Sequence, residues 1–187
     1  SFTPTAAKKA ALYASSSAAT AQAAGGIYLP PFADQRYFRP EALPTKAPVV
    51  FIGTGRHRRM PEDRLRMVAR LRSEGIRVVT WGYRWPRHPD ARAPLSGVGL
   101  SRAYGQAHLA LDLTRTDTNI GCRIFQAPMC GTPVITRRRP DVQALFTEDE
   151  EALYYDDDDE LVSKVQEYLR TPHRLEQIGQ RARARCL

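Results

Sequence analysis

Apolar and polar positions change period several times along the chain, and each change marks an element. Val49-Val50-Phe51-Ile52 is an unbroken apolar run closed by Gly53, the pattern of a strand buried on both faces of a parallel sheet. Residues 62–74 then place Leu65, Val68, Ala69 and Leu71 at helical spacing behind a Pro-Glu-Asp start at 61–63, and Gly75 stops them. Ile76 to Trp81 returns to a strand pattern and ends at Gly82. Residues 83–99, with three prolines and two glycines, predict a loop. A short helix is expected over Ser101 to Ala107, a strand over His108 to Leu113, and a helix over Gly121 to Cys130, ended by Gly131. Strands follow at Pro133 to Thr136 and Ala152 to Tyr155, then two terminal helices, Glu160 to Leu169 and Pro172 to Arg185.

Strand and helix alternate at the spacing of βαβ units, which predicts an α/β fold: an open, doubly wound, Rossmann-like parallel sheet with C-terminal helices. Ligands of such sheets lie beyond the carboxyl ends of the strands. That rule points to three loops, 53–61, 82–99 and 114–121. Ahead of the sheet, residues 5–24 are rich in Ala and Ser; they predict a helix from Ala6 to Tyr13 and then a small-residue loop ending at Gly25-Gly26. Five prolines in 27–48 predict an extended connector and a domain boundary, because proline fixes φ and lacks the N–H of a helix interior or central strand. No internal repeat is visible.

The length of 187 residues suits one domain, or a domain and part of a neighbour. Beginning at Ser1 and stopping at Leu187 inside a charged helical pattern, the chain reads as a piece of a longer protein. With 42% hydrophobic and 26% charged residues it is globular, which excludes collagen-like, disordered and disulfide-scaffold classes. No run approaches the ~20 apolar residues of a membrane span, and no signal peptide is expected, since the first residues lack a basic region followed by an apolar core. Cys122, Cys130 and Cys186 show neither metal-ligand spacing nor an even framework, so they read as reduced thiols of a cytoplasmic protein. Charge changes the picture more. Residues 141–160 hold 10 of the 20 acidic residues and no Lys or Arg, which leaves 28 basic residues against 10 acidic ones elsewhere. That balance suits an anionic partner: nucleic acid, anionic lipid or a phosphorylated small molecule. Ordinary solvated faces would give the same count.

Two of the three loops carry candidate chemistry. Gly53-Thr54-Gly55-Arg56-His57-Arg58-Arg59 combines glycines, which let the backbone approach an anion, with guanidinium forks that match phosphate oxygens. It fits neither the dinucleotide fingerprint nor the P-loop, and a solvated basic turn is the plain alternative. The second candidate, Asp117 to Gln126, again follows a strand and opens a helix. Helical spacing puts Arg123, Gln126 and Cys130 on one face and Cys122, Phe125 and Met129 on another; the apolar set is expected to pack on the sheet and leave Arg123 and Gln126 toward the cleft. A surface salt bridge is the alternative for Arg123. Pro128 should bend this helix or end it early. Asp156-Asp157-Asp158-Asp159 is no metal site, since consecutive acids diverge; Asp157 or Asp158 is expected to cap the next helix. Trp81 and Trp85 could stack on a base or sugar, or pack in the core. The four histidines show no ligand spacing, and no Ser-His-Asp or Cys-His set is present.

The segment Arg123-Ile-Phe-Gln-Ala-Pro-Met-Cys-Gly131-Thr-Pro-Val-Ile resembles the signature of the group 1 glycosyltransferases, nearest to their spore-maturation, CgeB-like branch, whose pattern runs R-x-F-E-x-P-A-x-G. Pro128 fits that pattern. Tyr28 to Pro31 with Asp34 and Phe38-Arg39-Pro40 resembles the linker between two GT-B domains. Phe51-Ile52-Gly53 through Arg64 resembles the first strand and the arginine after it, and Leu145 through Pro172 the closing section. The likeness covers about residues 27–187. It implies a tail of an N-terminal domain at 1–26, an interdomain linker at 27–48, and a nucleotide-sugar-binding domain at 49–187. A sugar would pass from a nucleotide diphosphate sugar, as co-substrate, to a glycan, lipid or protein acceptor, with no metal and no other cofactor. Arg64 and Arg123 would hold the pyrophosphate, with Arg56 and Arg59 as further candidates. Gly53 and Gly121 would admit the backbone, Asn119 would complete the donor set, and Gln126 would bond the ribose where the family has an acid. Thr118 stands where the wider group has its other glutamate. No catalytic residue is assigned, and acceptor contacts would come from the N-terminal domain of the same chain. The setting would be the cytoplasm or the inner face of the membrane. Two rivals stay open: a non-catalytic binding module of the same fold, and a basic nucleic-acid-binding domain, for which no motif speaks.

Overall fold

The computed structural model describes residues 14–15, 18–44, 47–56, 63–113 and 120–187. Eight strands and seven helices lie among these residues: β1 (Ala14–Ser15), α1 (Ala18–Ala23), β2 (Ile27–Tyr28), β3 (Ala47–Ile52), α2 (Asp63–Ser73), β4 (Val78–Trp81), β5 (Ala91–Arg92), α3 (Val98–Gly105), β6 (Ala107–Asp112), α4 (Arg123–Met129), β7 (Val134–Arg137), α5 (Pro140–Gln143), β8 (Leu153–Tyr155), α6 (Asp158–Leu169) and α7 (Pro172–Cys186).

The main sheet runs β5-β4-β3-β6-β7-β8 with all pairs parallel. Counted from its own first strand, β3, this is the order 3-2-1-4-5-6 of a doubly wound α/β sheet, as the alternation of elements predicts. The apolar run of β3 divides its side chains by the strand period of two. Val49 and Phe51 enter one core with residues of α2, α6 and α7; Val50 and Ile52 enter a second with residues of α3 and α4. β6 sits beside β3, and there the order of strands reverses, opening a crevice between their carboxyl ends.

Several elements differ from the sequence reading, among them the unexpected β1–β2 pair and α3, which begins at Val98 inside the expected loop. The expected loop 83–99 contains β5, held by Thr80 N–H on the Asp90 carbonyl and Gly82 N–H on the Arg92 carbonyl. A two-residue edge strand paired on one side has no periodicity to read. The expected small-residue loop before Gly25 contains α1, in keeping with alanine's helix preference; Gly25 (φ 62°) ends it, and Gly26 N–H bonds the Ala21 carbonyl at 2.8 Å. The one-turn helix α5 was not anticipated. The helix expected over Ala6–Tyr13 lies outside the described residues.

Between β2 and β3 the described residues form no helix or strand, and a turn forms at Asp34. The Asp34 carboxylate accepts from the Arg36 backbone and guanidinium, and Phe38 N–H bonds the Asp34 carbonyl at 2.9 Å. Phe38 is buried in the second core and anchors this stretch. At the other end, Asp157 caps α6 as expected: its Oδ1 accepts Glu160 N–H at 2.8 Å, and Glu160 Oε2 returns a bond to Asp156 N–H at 2.7 Å.

Candidate functional site

Phe51, the penultimate residue of β3, is wholly buried, and two arginines converge on its ring. The Arg64 guanidinium carbon lies 5.2 Å from the ring centroid and that of Arg123 lies 5.3 Å from it. Trp85 meets the same ring edge-on at 5.5 Å and donates its indole N–H to the Gly53 carbonyl at 2.9 Å. The second candidate tryptophan, Trp81, lies beneath Arg92, 5.0 Å from ring centroid to guanidinium carbon.

The two arginines are held differently. Arg64, on the first turn of α2, is buried; its Nε donates to the Leu113 carbonyl at 2.7 Å and its Nη1 to the Thr54 carbonyl at 2.9 Å. It therefore ties the chain leaving β6 to the chain leaving β3. Arg123, the first residue of α4, donates Nε to Asp112 Oδ1 at 2.9 Å and Nη1 to the Ile52 carbonyl at 3.4 Å. Asp112 is fully buried, and its Oδ2 accepts the Thr136 hydroxyl at 3.1 Å. Desolvating such a carboxylate costs several kcal/mol, so it demands a cation and hydrogen bonds together. Arg123 supplies the cation, and its side chain stays 20% exposed at the crevice.

Glycines keep the space around Arg123 open. A Cβ on Gly53 would stand 3.4 Å from Arg123 Nη1 and 3.2 Å from the Phe51 ring. A Cβ on Gly121 would stand 3.5 Å from Asp112 Oδ1 and 3.6 Å from Arg123 Nη2. The lip of the crevice is stiff, because hydrogen bonds between the β3 and β4 segments continue past the strand ends: Gly53 N–H to Trp81, Gly55 N–H to Tyr83 and Arg56 N–H to Arg84. The segments run so close that a Cβ on Gly82 would lie 2.2 Å from the Gly53 carbonyl oxygen.

Gly53, Arg64, Gly121 and Arg123 thus meet around the ends of β3 and β6. Arg56 is exposed on the lip. Gln126 is half-buried, and its amide makes no hydrogen bond among the described residues. Arg59, Thr118 and Asn119 lie outside the described residues. The packing face of α4 is corrected. Ile124, Ala127, Pro128 and Met129 are buried, whereas Cys122 is exposed and Phe125 packs at 5.8 Å on the ring of Phe146. Pro128 lies inside the seven-residue helix, which begins two residues later than expected and runs on to Met129, and Gly131 (φ 82°) turns the chain into β7. At that length α4 brings no helix-end field of weight to the crevice. Asp112 and Thr136 were missed. The signal for Asp112 is an acid in the otherwise apolar run Leu109 to Leu113, where burial obliges a partner.

Burial pushes the Cys130 thiol up to about 11, which leaves it a protonated core residue. Among the described residues no group of His, Cys, Asp and Glu could hold a metal ion, and no helix is long and apolar enough to cross a membrane.

Residues 58–187 match the family described as glycosyl transferase-like, and the chain belongs to that family. No curated protein matches the sequence. Solved structures with the same fold include Anabaena Alr3699/HepE in complex with UDP and glucose, at TM-score 0.75 and 13% identity over 99% of this chain and 62% of that one. Sucrose-phosphate synthase from Thermosynechococcus elongatus aligns at TM-score 0.67 and 18% identity over 86% of this chain and 48% of that one. The C-terminal domain of the group 1 glycosyl transferase LpcC from Francisella tularensis aligns at TM-score 0.61 and 13% identity, over 82% of this chain and 95% of that domain. At these identities the likeness is one of fold. The chain spans about half the length of the synthase and three fifths of HepE.

Proposed function

We propose that this member of the glycosyl transferase-like family is the donor-binding half of a two-domain GT-B glycosyltransferase of the CgeB-like branch. Residues 49–187 form the nucleotide-sugar-binding domain, 27–48 the interdomain linker, and 1–26 the tail of an N-terminal domain that supplies acceptor contacts. A hexosyl group passes from a nucleoside diphosphate sugar to an acceptor hydroxyl, in the cytoplasm and without a metal ion. The single observation that carries the reading is Arg123: a guanidinium fixed on Asp112 and Ile52 at the point where strand order reverses, with glycines in front of it.

As the bond from the anomeric carbon to the diphosphate breaks, negative charge gathers on the leaving phosphate oxygen. A fork already locked in place stabilises that charge without reorganising. Asp112 neutralises Arg123 at rest, so the pair attracts a free anion modestly and acts through fixed geometry. Arg64 holds the two loops on either side, and Arg56 and Arg59 add positive potential from the lip. Asn119 and Gln126 bond the nucleoside, Gln126 at a ribose hydroxyl. The HepE structures hold UDP, glucose and UDP-glucose, which makes UDP the first nucleotide to test.

The test is a thermal-shift panel with UDP, GDP, dTDP, ADP and CDP. A nucleotide at 100 times its Kd stabilises by about 2.7 kcal/mol. Each kcal/mol moves the Tm of a domain this size by roughly 2–4 °C. Arg123→Ala alone would strand the buried Asp112, so the paired control is Arg123→Met with Asp112→Asn, which removes both charges. The expected result is a shift with at least one diphosphate that disappears in the double variant. A panel without any shift, or a shift the double variant retains, overturns the reading.

A further inference from the structure

Between α2 and α6, the carboxyl ends of β6, β7 and β8 open into a cleft of about 490 Å³. Leu113, Arg137 and Tyr155 form its floor, and Arg64 and Arg66 of α2 form one wall. The other wall is the Asp156–Asp159 run that begins α6. This cleft abuts the Arg123 crevice: Arg64 lines it while bonding the Thr54 carbonyl on the crevice side.

Its floor carries two groups with unspent donors. Tyr155 is 2% exposed, and its hydroxyl has no hydrogen-bond partner among the described residues. The ring is buried, but the hydroxyl is not among the polar atoms sealed from solvent without a partner, and Tyr155 lines the cleft, where a ligand can meet it. Arg137, its register partner across β7 and β8, is exposed and makes no ion pair among the described residues. The acidic wall is occupied but not saturated. Asp156 accepts Arg138 Nε, Asp157 caps α6, Asp158 pairs with Arg66, and Asp159 pairs with Arg70. A carboxylate has about four acceptor sites, so each keeps lone pairs.

The floor therefore donates and the wall accepts. An oxyanion would suit the floor but has no hydrogen to donate to the acceptors of the wall. A cation would suit the wall and be repelled by the arginines. A neutral polyhydroxyl compound, whose hydroxyls both donate and accept, matches both sides, and the volume lies within the ~300–1,000 Å³ of small-molecule sites. We propose that this cleft binds the hydroxyls of a sugar, and that it is an acceptor-sugar subsite carried by the donor-binding domain. The acceptor role rests on the glycosyltransferase reading; the sugar chemistry rests on the cleft alone.

The experiment is a ¹H–¹⁵N titration of the chain with glucose, mannose, N-acetylglucosamine and maltose, and separately with UDP and with inorganic phosphate. At least one sugar should shift the amides of Arg137 and of Tyr155 to Glu160. Tyr155→Phe and Arg137→Ala should each weaken that sugar by roughly threefold to tenfold, the worth of one hydrogen bond. Tyr155→Phe removes only a hydroxyl without a partner, so its Tm should equal or exceed that of the parent, which separates a binding role from a structural one. UDP should shift Gly53 and Gly121 to Gln126 equally in both variants. If no sugar moves the cleft amides while UDP still moves the crevice, the inference fails and the donor reading stands. If phosphate moves Arg137 and Tyr155 and sugars do not, the sugar assignment is overturned. If Tyr155→Phe abolishes the UDP response, the cleft is part of the donor site and the inference falls. If sugars fill the cleft and UDP binds nowhere, the sugar site stands and the donor reading falls.

Discussion

Arg123 and Arg138 both gather carboxylates, and they are built in opposite ways. Arg123 faces one acid, Asp112, with no exposed surface, and finishes its bonding on a backbone carbonyl and a buried ring. Arg138 stands at the outer edge of the sheet among three acids. It grips both oxygens of Glu148, bonds Asp156 at 3.0 Å and lies 3.9 Å from Glu160, while Lys164 reaches Glu148 at 3.1 Å and Glu160 at 3.2 Å. Arg138 has more partners and matters less. Its partners are between a quarter and two thirds exposed, so water and salt screen each pair. The lone pair at Arg123 has no such substitute. Partner number is a poor guide to importance; burial of the partner is a better one.

The largest expected effect breaks the buried pair. Asp112→Ala leaves Arg123 mostly desolvated with no counter-charge, which costs about 3 kcal/mol or more. Asp156→Ala, at the exposed edge, should cost no more than about 1 kcal/mol. Urea unfolding of the two variants checks this. Restoring most of the loss by adding Arg123→Met to Asp112→Ala would show that the stranded charge is the cause. Equal costs for Asp112→Ala and Asp156→Ala would remove the distinction between the two regions.

The sequence showed one half of this contrast better than the other. The β3 run and the glycine that ends it are legible because a strand buried on both faces needs only apolar side chains, and the family pattern pointed to Arg123. Period and propensity make Asp112 only a position in a strand, and say nothing of a partner eleven residues on. The family pattern singles out Arg64, yet its bonds to the Thr54 and Leu113 carbonyls have no sequence signature. Helical spacing puts Cys122 on the packing face of α4, yet the helix starts only at Arg123 and leaves Cys122 exposed as its N-cap. Tyr155, in a short apolar run, looked like core and is core except for its hydroxyl.

A smaller effect follows from pH. The guanidinium of Arg138 and then the ammonium of Lys164 hold the Glu148 carboxyl at about 2, below its ordinary 4.5. A depressed carboxyl stabilises the fold above its unfolded pKa and loses that contribution as pH falls through the folded one. About a third of the Glu148 side chain is in water, 32%, so the contribution is held to about 1 kcal/mol. Glu148→Gln should therefore lower Tm slightly at pH 7, and the gap should close between about pH 5 and pH 2. A gap that stays constant over that window would mean that the network acts by packing and not by charge.

The smallest effect sharpens the other side of the comparison. Gln126 is half-buried one turn along α4 from Arg123, with its amide unbonded among the described residues. If a ribose hydroxyl is its partner, Gln126→Glu replaces a neutral acceptor with an ionised one, whose hydrogen bonds are roughly twice as strong. Calorimetry should then show UDP affinity rising by roughly threefold to tenfold, since a charged hydrogen bond exceeds a neutral one by about 1 kcal/mol. The new carboxylate also stands near the arginine proposed to hold the diphosphate, and a ligand without a ribose tests that: inorganic pyrophosphate should gain nothing and lose a little. Were UDP to lose affinity in step with pyrophosphate, Gln126 would face the phosphates and not the ribose. The orientation of the nucleoside along the crevice would then be reversed, although Arg123 would keep its place under the diphosphate.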